Sequence, residues 1–195
     1  KLNIDCIVLK HTDEECKRVR KYTYAEELNY IVSHTKRNKF IENLCKTIKG
    51  NTLVLFQLVD KHGVLLYNEL KKLDKKVFFV YGGTTTETRE KIRGIVEKEK
   101  DSLIIASYGT FSTGINIRNI NNVVFASPSK SRVRVLQSIG RGLRQSKTKD
   151  SVKLFDVSDN ITHKSRQNFT YRHFNERLNI YKQENFNYEI SRVKL

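Results

Sequence analysis

The amino-acid sequence predicts an open α/β domain, a parallel sheet with helices on both faces, and three observations carry that expectation. Short apolar runs at residues 52–56, 76–81, 103–106, 122–126 and 152–157 alternate with amphipathic stretches at 61–73, 87–99 and 131–143. Strands that read as continuous apolar runs, not as alternating ones, are strands covered on both faces. The 195 residues include nine Gly and a single Pro, which excludes collagen-like and low-complexity chains. A chain of that length fits one domain with a core of its own.

Taken in order, residues 3–9 form a first apolar strand candidate. The acidic run Asp13-Glu14-Glu15-Cys16 imitates a metal-binding motif, but it reads as a solvated helix start with its charge at the favourable end. Residues 24–49 read as one helix: Leu28, Ile31, Val32, Phe40, Ile41, Leu44, Cys45 and Ile48 recur near a 3.6-residue period, and Gly50 supplies the stop. The alternating strands and helices follow. Beyond Thr162 the pattern predicts one long helix to about Gln183 and a tail over 184–195. That stretch interleaves Phe169, Tyr171, Phe174 and Tyr181 with Lys164, Arg166, Arg172, Arg177 and Lys182. Such interleaving can stack bases; the preferred reading packs the aromatic side on the sheet and leaves the basic side in water. The expected division is a lead-in over 1–22 from an upstream domain, an α/β domain over 23–160, and a C-terminal helix and tail over 161–195. There is no Met, even at position 1, so the sequence is expected to be a piece of a longer protein.

The net charge is +16, an excess that predicts a polyanionic partner. Nucleic acid is the first candidate and an anionic membrane surface the second. The membrane reading lacks a helix with apolar residues concentrated on one face and cations on the other. No run approaches the roughly 18 apolar residues of a membrane span, and no signal peptide opens the chain. A soluble protein of the cytoplasm is expected. Cys6, Cys16 and Cys45 are odd in number and form no C-x-x-C pair, and the five His are scattered. Neither a disulfide framework nor a metal site is supported, and reduced thiols are expected.

Ligand sites of parallel sheets lie at the carboxyl ends of the strands. The residues there are Gln57, Gly82-Gly83, Ser107-Tyr108-Gly109-Thr110, Ser127-Pro128-Ser129 and Ser158-Asp159-Asn160. Small polar residues and glycines permit close approach to phosphate, and they also make ordinary turns. The most basic window is 129–149, with Lys130, Arg132, Arg134, Arg141, Arg144, Lys147 and Lys149 and no acid before residue 150. On a helix, Arg141 and Arg144 share one face, and two forked cations at one spot suit the charge of a transferring phosphoryl group. Gly140 and Gly142 each cost a helix roughly 1 kcal/mol relative to Ala, which speaks against a purely structural helix.

Gln137-x-x-Gly140-Arg141-x-x-Arg144 resembles motif VI of superfamily 2 helicases, and residues 107–117 resemble their motif V. Residues 52–56 are similar to the motif IV strand, and Tyr81-Gly82-Gly83 with Arg89 to the segment after it. Order and spacing agree over about 51–159. This resemblance implies a second RecA-like domain of a DNA helicase, using ATP and Mg2+, with an upstream RecA-like domain of the same chain supplying the phosphate loop and the Mg2+ ligands. It further implies that Arg141 and Arg144 reach the γ-phosphate, with Arg144 as arginine finger, and that Gln137 couples that site to the domain interface. Gly114 and Asn116 would line the nucleotide. Gln57, Gly82, Gly83, Ser107, Thr110, Lys130 and Arg132 would contact nucleic acid. No G-x-x-x-x-G-K-[ST] is present, so this chain alone is expected to be inactive as an ATPase.

The substrate implied is branched DNA: forks, Holliday junctions, and D- or R-loops in recombination and repair. An RNA helicase of the same superfamily stays open, because backbone contacts do not separate the two. A non-catalytic basic nucleic-acid-binding module is the alternative from another class. It accounts for the charge and leaves the Gly-Arg-x-x-Arg spacing unexplained.

Overall fold

The computed structural model describes residues 1–112, 119–145 and 151–195, without the side chains of 112 and 141–145. The described strands are β1 (Leu2–Lys10), β2 (Thr52–Phe56), β3 (Lys76–Val80), β4 (Ser102–Ser107), β5 (Asn122–Phe125), β6 (Val152–Asn160) and β7 (Asn187–Lys194). They form one sheet in the order β3-β4-β2-β5-β6-β1-β7, and every pairing is parallel. The helices are α1 (Asp13–Val19), α2 (Tyr24–Ser33), α3 (Thr35–Thr47), α4 (Val64–Leu70), α5 (Thr86–Val96), α6 (Tyr108–Ser112), α7 (Arg132–Gln145) and α8 (Phe169–Gln183).

Alternation along each strand divides the core into two layers. Ile4, Cys6, Val8, Leu53, Leu55, Ile104 and Phe125 face α5, α7 and α8, which contribute Ile92, Val96, Val135, Leu136, Phe174 and Tyr181. Ile7, Leu9, Val54, Phe56, Leu103, Ile105 and Val157 face α3 and α4 through Ile41, Cys45, Leu66 and Leu70. All of β2 is buried, because both faces are covered. Each fully buried Leu, Ile or Phe contributes roughly 1.5–3 kcal/mol. Cys6, Cys16 and Cys45 are free thiols inside this core.

Three expected elements differ. The helix over 24–49 is two helices broken at His34, whose extended backbone ends α2 while its Nδ1 accepts the Arg37 N–H and caps α3. The long helix after Thr162 begins only at Phe169. Before it, His163 and Arg166 exchange backbone hydrogen bonds around Lys164, which has a φ of 53°. The tail is strand β7, paired along the outer side of β1. β1, from the expected lead-in, lies hydrogen-bonded between β6 of the expected α/β domain and β7 of the expected tail. The aromatic side of α8 does pack on the sheet through Phe174 and Tyr181, but Arg177 is buried with them. No described helix is long and apolar enough to cross a membrane.

Candidate functional site

Because every strand is parallel, their carboxyl ends share one edge. Gln57 is exposed just beyond β2, and its Oε1 accepts the Ser129 hydroxyl at 2.6 Å. Ser107 ends β4; its Oγ accepts the Thr110 N–H at 3.2 Å and pairs with the Thr110 hydroxyl, closing the turn into α6. Thr110 is buried in that turn. Gly82 and Gly83 are exposed after β3, where Arg89 Nη2 donates to the Tyr81 and Gly82 carbonyls at 3.2 and 3.3 Å. A Cβ on Gly83 would stand 2.6 Å from the Tyr81 ring, so a side chain there would displace that exposed ring. Lys130 is exposed, with its ammonium 5.2 Å from the Tyr24 ring centroid. One edge thus carries Gln57, Gly82, Gly83, Ser107 and Lys130.

Arg132 does not belong to that exposed set. It is 2% exposed, with its guanidinium on Asp156 Oδ1 at 2.9 Å, on the Phe125 carbonyl at 3.1 Å and on the Ser127 carbonyl at 2.8 Å. The reason is a carboxylate 24 residues away that draws the side chain inward instead of toward solvent. Arg177 brackets the same carboxylate with Nε and Nη2, each at 2.9 Å, and the Tyr181 hydroxyl donates to it. Burial by itself would push the Asp156 pKa up; the guanidiniums of Arg177 and Arg132 outweigh it and hold it at about 2.

A second clamp works from the opposite face of the sheet. Arg37 is fully buried, its Nε 2.9 Å from both oxygens of Asp159 and its Nη1 2.7 Å from the Ala126 carbonyl. Asp159 also receives His11 Nε2 at 2.9 Å. Against the opposing effect of burial, Arg37 and His11 hold it well below the usual carboxylate range. Three consecutive carbonyls, 125 to 127, are therefore gripped by two arginines, each anchored on its own aspartate of β6. The grip fixes where Ser129 and Lys130 leave the sheet. Both clamps escaped the sequence reading, whose only available signal was the Asp156-x-x-Asp159 spacing on a strand.

Beneath the edge His62 contacts the Ser127 hydroxyl through Nδ1 and Asn38 Oδ1 through Nε2 at 3.0 Å. Burial first, and Arg37 second, lower its pKa to about 3, so it is the neutral ring. His11, Glu15 and His34 bring ligand-type atoms within 4.8 Å of one another. Because His34 Nδ1 accepts the Arg37 N–H, the proton of the neutral ring lies on Nε2, which donates to Glu15 at 3.3 Å. Hydrogen-bond contacts join the three side chains, and Glu15 is tied into the network that the acidic run was expected to leave in water.

The remaining expected residues lie on or near α7, which leaves the carboxyl edge at Arg132 and descends the sheet face. Gln137 is exposed on it. Gly140 is buried, and a Cβ there would meet the Phe186 ring at 3.3 Å. This glycine therefore has a packing reason as well as the motif. At 1.5 Å per residue, Arg141 and Arg144 stand roughly 14–18 Å along the helix from Arg132. Their backbones are helical and their side chains lie outside the described residues. Gly114 and Asn116 lie outside the described residues altogether. The backbones of Arg141 and Arg144 thus lie apart from the carboxyl-edge group along α7.

The family model for the helicase conserved C-terminal domain matches residues 35–146, more than half of the chain. The chain belongs to this helicase family. It is similar to the "ATP-dependent DNA helicase uvsW" of Enterobacteria phage T4, 35% identical over 207 residues, which cover 100% of this chain and 41% of that protein. The crystal structure of T4 UvsW agrees with a TM-score of 0.87 at 34% identity, covering 99% of this chain and 42% of that one. The C-terminal domain of the DEAD-box protein Dbp5 agrees at a TM-score of 0.56 and 15% identity, covering 100% of this chain and 89% of that one, a likeness of fold alone. The helicase C-terminal domain here is a RecA-like parallel sheet, and the chain spans less than half the length of its phage relative.

Proposed function

We propose that this chain is the C-terminal motor domain of an ATP-dependent DNA helicase that unwinds or branch-migrates forks, Holliday junctions and D- or R-loops. The observation that carries the reading is the whole-chain similarity to a protein named a DNA helicase, whose structure agrees at a TM-score of 0.87. The basic carboxyl edge supports it: Gln57, Gly82, Gly83, Ser107 and Lys130 offer hydroxyl, amide, backbone and ammonium groups to phosphates, which position a strand without reading its bases. Thr110 acts through Ser107 in this scheme, and Arg132 is a positioning residue for the 127–130 loop.

ATP, when bound with Mg2+, supplies the phosphoanhydride bond whose cleavage drives the cycle. Gln137 on an exposed turn of α7, followed by helical backbone through Arg141 and Arg144, is a donor set that fits an anionic nucleotide. In our reading Arg141 and Arg144 neutralise charge at the γ-phosphate, Gln137 links that site to the facing domain, and Gly114 and Asn116 line the nucleotide. The Mg2+ ligands belong to an upstream domain. Domain closure and opening in each cycle then shift the grip on the strand.

The test is ATP turnover by the full-length gene product with and without a forked DNA. Turnover is expected to rise with the fork, and Arg144→Ala is expected to lower it about 10³-fold or more while the fork is still bound. A basic binding module would instead give up a single phosphate contact and keep whatever turnover it had. Absence of fork-stimulated turnover in the unmodified protein overturns the motor reading.

A further inference from the structure

The cations at the carboxyl edge do not stop at the family motifs. A crevice opens between the end of α1, the first turn of α2, the 161–168 turn and the start of α8, and Arg20, Arg166 and Arg172 line it. Its one acid, Glu27, is already committed. Its Oε1 accepts the Phe169 N–H at 3.0 Å, and its Oε2 accepts the Thr170 N–H at 2.8 Å and Asn168 Nδ2 at 3.2 Å. Glu27 thus caps α8 through neutral N–H donors, and its one negative charge is outnumbered by the three arginines that line the crevice with it. Among the described residues none of the three is in an ion pair: Arg20 donates to the Lys17 carbonyl at 2.6 Å, and Arg172 lies 4.9 Å over the Phe169 ring. A guanidinium stacked by its face keeps its N–H edge for a phosphate.

The local backbone is built to present these charges. Lys164 holds a left-handed φ of 53° so that His163 and Arg166 can close a tight turn, a conformation a lysine adopts only when its surroundings impose it. The cations concentrate there. His163 has its pKa lowered by desolvation and then by Arg20, Lys164 and Lys17. The crevice also joins the edge already described: Gln57 bonds Ser129, Lys130 covers the Tyr24 ring, Tyr24 meets Phe169 edge-on at 6.1 Å, and Phe169 carries Arg172. All three arginines lie outside the residues 35–146 that define the family match.

We propose that Arg20, Arg166 and Arg172 form a second phosphodiester-binding site, which holds a further arm of nucleic acid beyond the track of Gln57, Ser107 and Lys130. The inference rests on the nucleic-acid reading given above and adds a site to it. A two-site surface suits a branched substrate, whose arms leave the branch point in different directions.

The experiment titrates the full-length gene product with a fluorescent forked DNA across salt from about 50 to 200 mM and reads the slope of log affinity against log salt. The R20A/R166A/R172A variant is expected to lower the magnitude of that slope by roughly 2–3, about one counterion for each phosphate that is no longer neutralised. R20K/R166K/R172K keeps the charges and should keep most of the slope. Arg166→Ala alone, whose side chain is in no hydrogen bond or ion pair among the described residues, should lower it by about 1 and leave the unfolding midpoint unchanged. A triple alanine variant that keeps the unmodified slope overturns the site, even if the unmodified crevice binds acidic proteins or anionic vesicles. An unmodified protein with no salt-dependent binding to any nucleic acid overturns instead the function on which the site rests.

Discussion

Asp156 and Asp159 stand three residues apart on β6, so they point to opposite faces of the sheet, and each neutralises an arginine with no water to turn to. Removing one charge of such a set costs more than the pair contributes, because the partner stays buried and unpaired. Asp156→Asn keeps the shape and strands Arg132 and Arg177; we expect a loss of about 3–5 kcal/mol in urea unfolding at neutral pH. A loss below about 1 kcal/mol would mean that water reaches the arginines. The pH dependence has a definite sign. Asp156 has a folded pKa of about 2 against an ordinary 3.8, so its stabilisation is complete above about pH 4 and is lost as pH falls through 2. Asp159 acts in the same direction. His62 is lowered from 6.5 to about 3, so the unfolded chain takes up its proton first and stability begins to fall below about pH 6.5. Unfolding midpoints measured down the acid range should decline in two stages, and His62→Gln should shrink the upper one, to which His34 and His173 contribute in the same direction. A single decline starting near pH 4 in the unmodified protein would show that His62 is solvated.

At the scale of elements, the junction of β2 with α4 is the tightest point of the edge. The chain leaves β2 through a π-helical turn, Val59–Gly63, in which the His62 and Gly63 N–H groups both return to the Leu58 carbonyl. A Cβ on Gly63 would lie 2.5 Å from Phe56 Cε2, and Phe56 is fully buried against Phe79. Gly63→Ala is therefore expected to destabilise by about 1–3 kcal/mol through overpacking. Phe56→Leu in the same chain should recover part of that loss, so that the double variant costs less than the two singles added. Simple additivity in denaturant unfolding would show that the turn has room to shift. The same physics marks what could be read from the sequence. The strands β2 and β4 were legible because burial on both faces leaves an unbroken apolar run. The edge strand β7 was not: only one side of it is paired, its exposed positions hold Asn187, Glu189, Ser191, Arg192 and Lys194, and its partner β1 lies at the other end of the chain. Gln57, Gly82, Gly83, Ser107 and Lys130 were legible as the residues that follow strands. Arg132 was misread because nothing local distinguishes a cation that meets phosphate from one that meets Asp156, which lies 24 residues on.

For the whole molecule, the folding unit is larger than the conserved motifs. Residues 35–146 contain β2 to β5 and omit β1, β6, β7, α1, α2 and α8. A fragment with those bounds would open the β5 edge and strip Leu2, Ile4, Cys6, Val8, Val152, Leu154, Phe174 and Tyr181 from one core layer. It would also keep Arg37 and Arg132 while losing Asp159 and Asp156, leaving two guanidiniums in an interior built to hold them only as pairs. Both deficits act in one direction. Lost burial at about 1.5–3 kcal/mol for each large side chain is as large as the roughly 5–15 kcal/mol by which a domain is stable. We therefore expect the 35–146 fragment to show no cooperative transition in urea, read by circular dichroism, where residues 1–195 show one. Carrying Arg37→Met and Arg132→Met in the fragment should not restore it, because the missing apolar layer outweighs the unpaired charge. Restoration by that pair of substitutions would place the stability of this sheet in its two ionic clamps, and a cooperative fragment without them would make β1, β6 and β7 an appendage to a smaller domain.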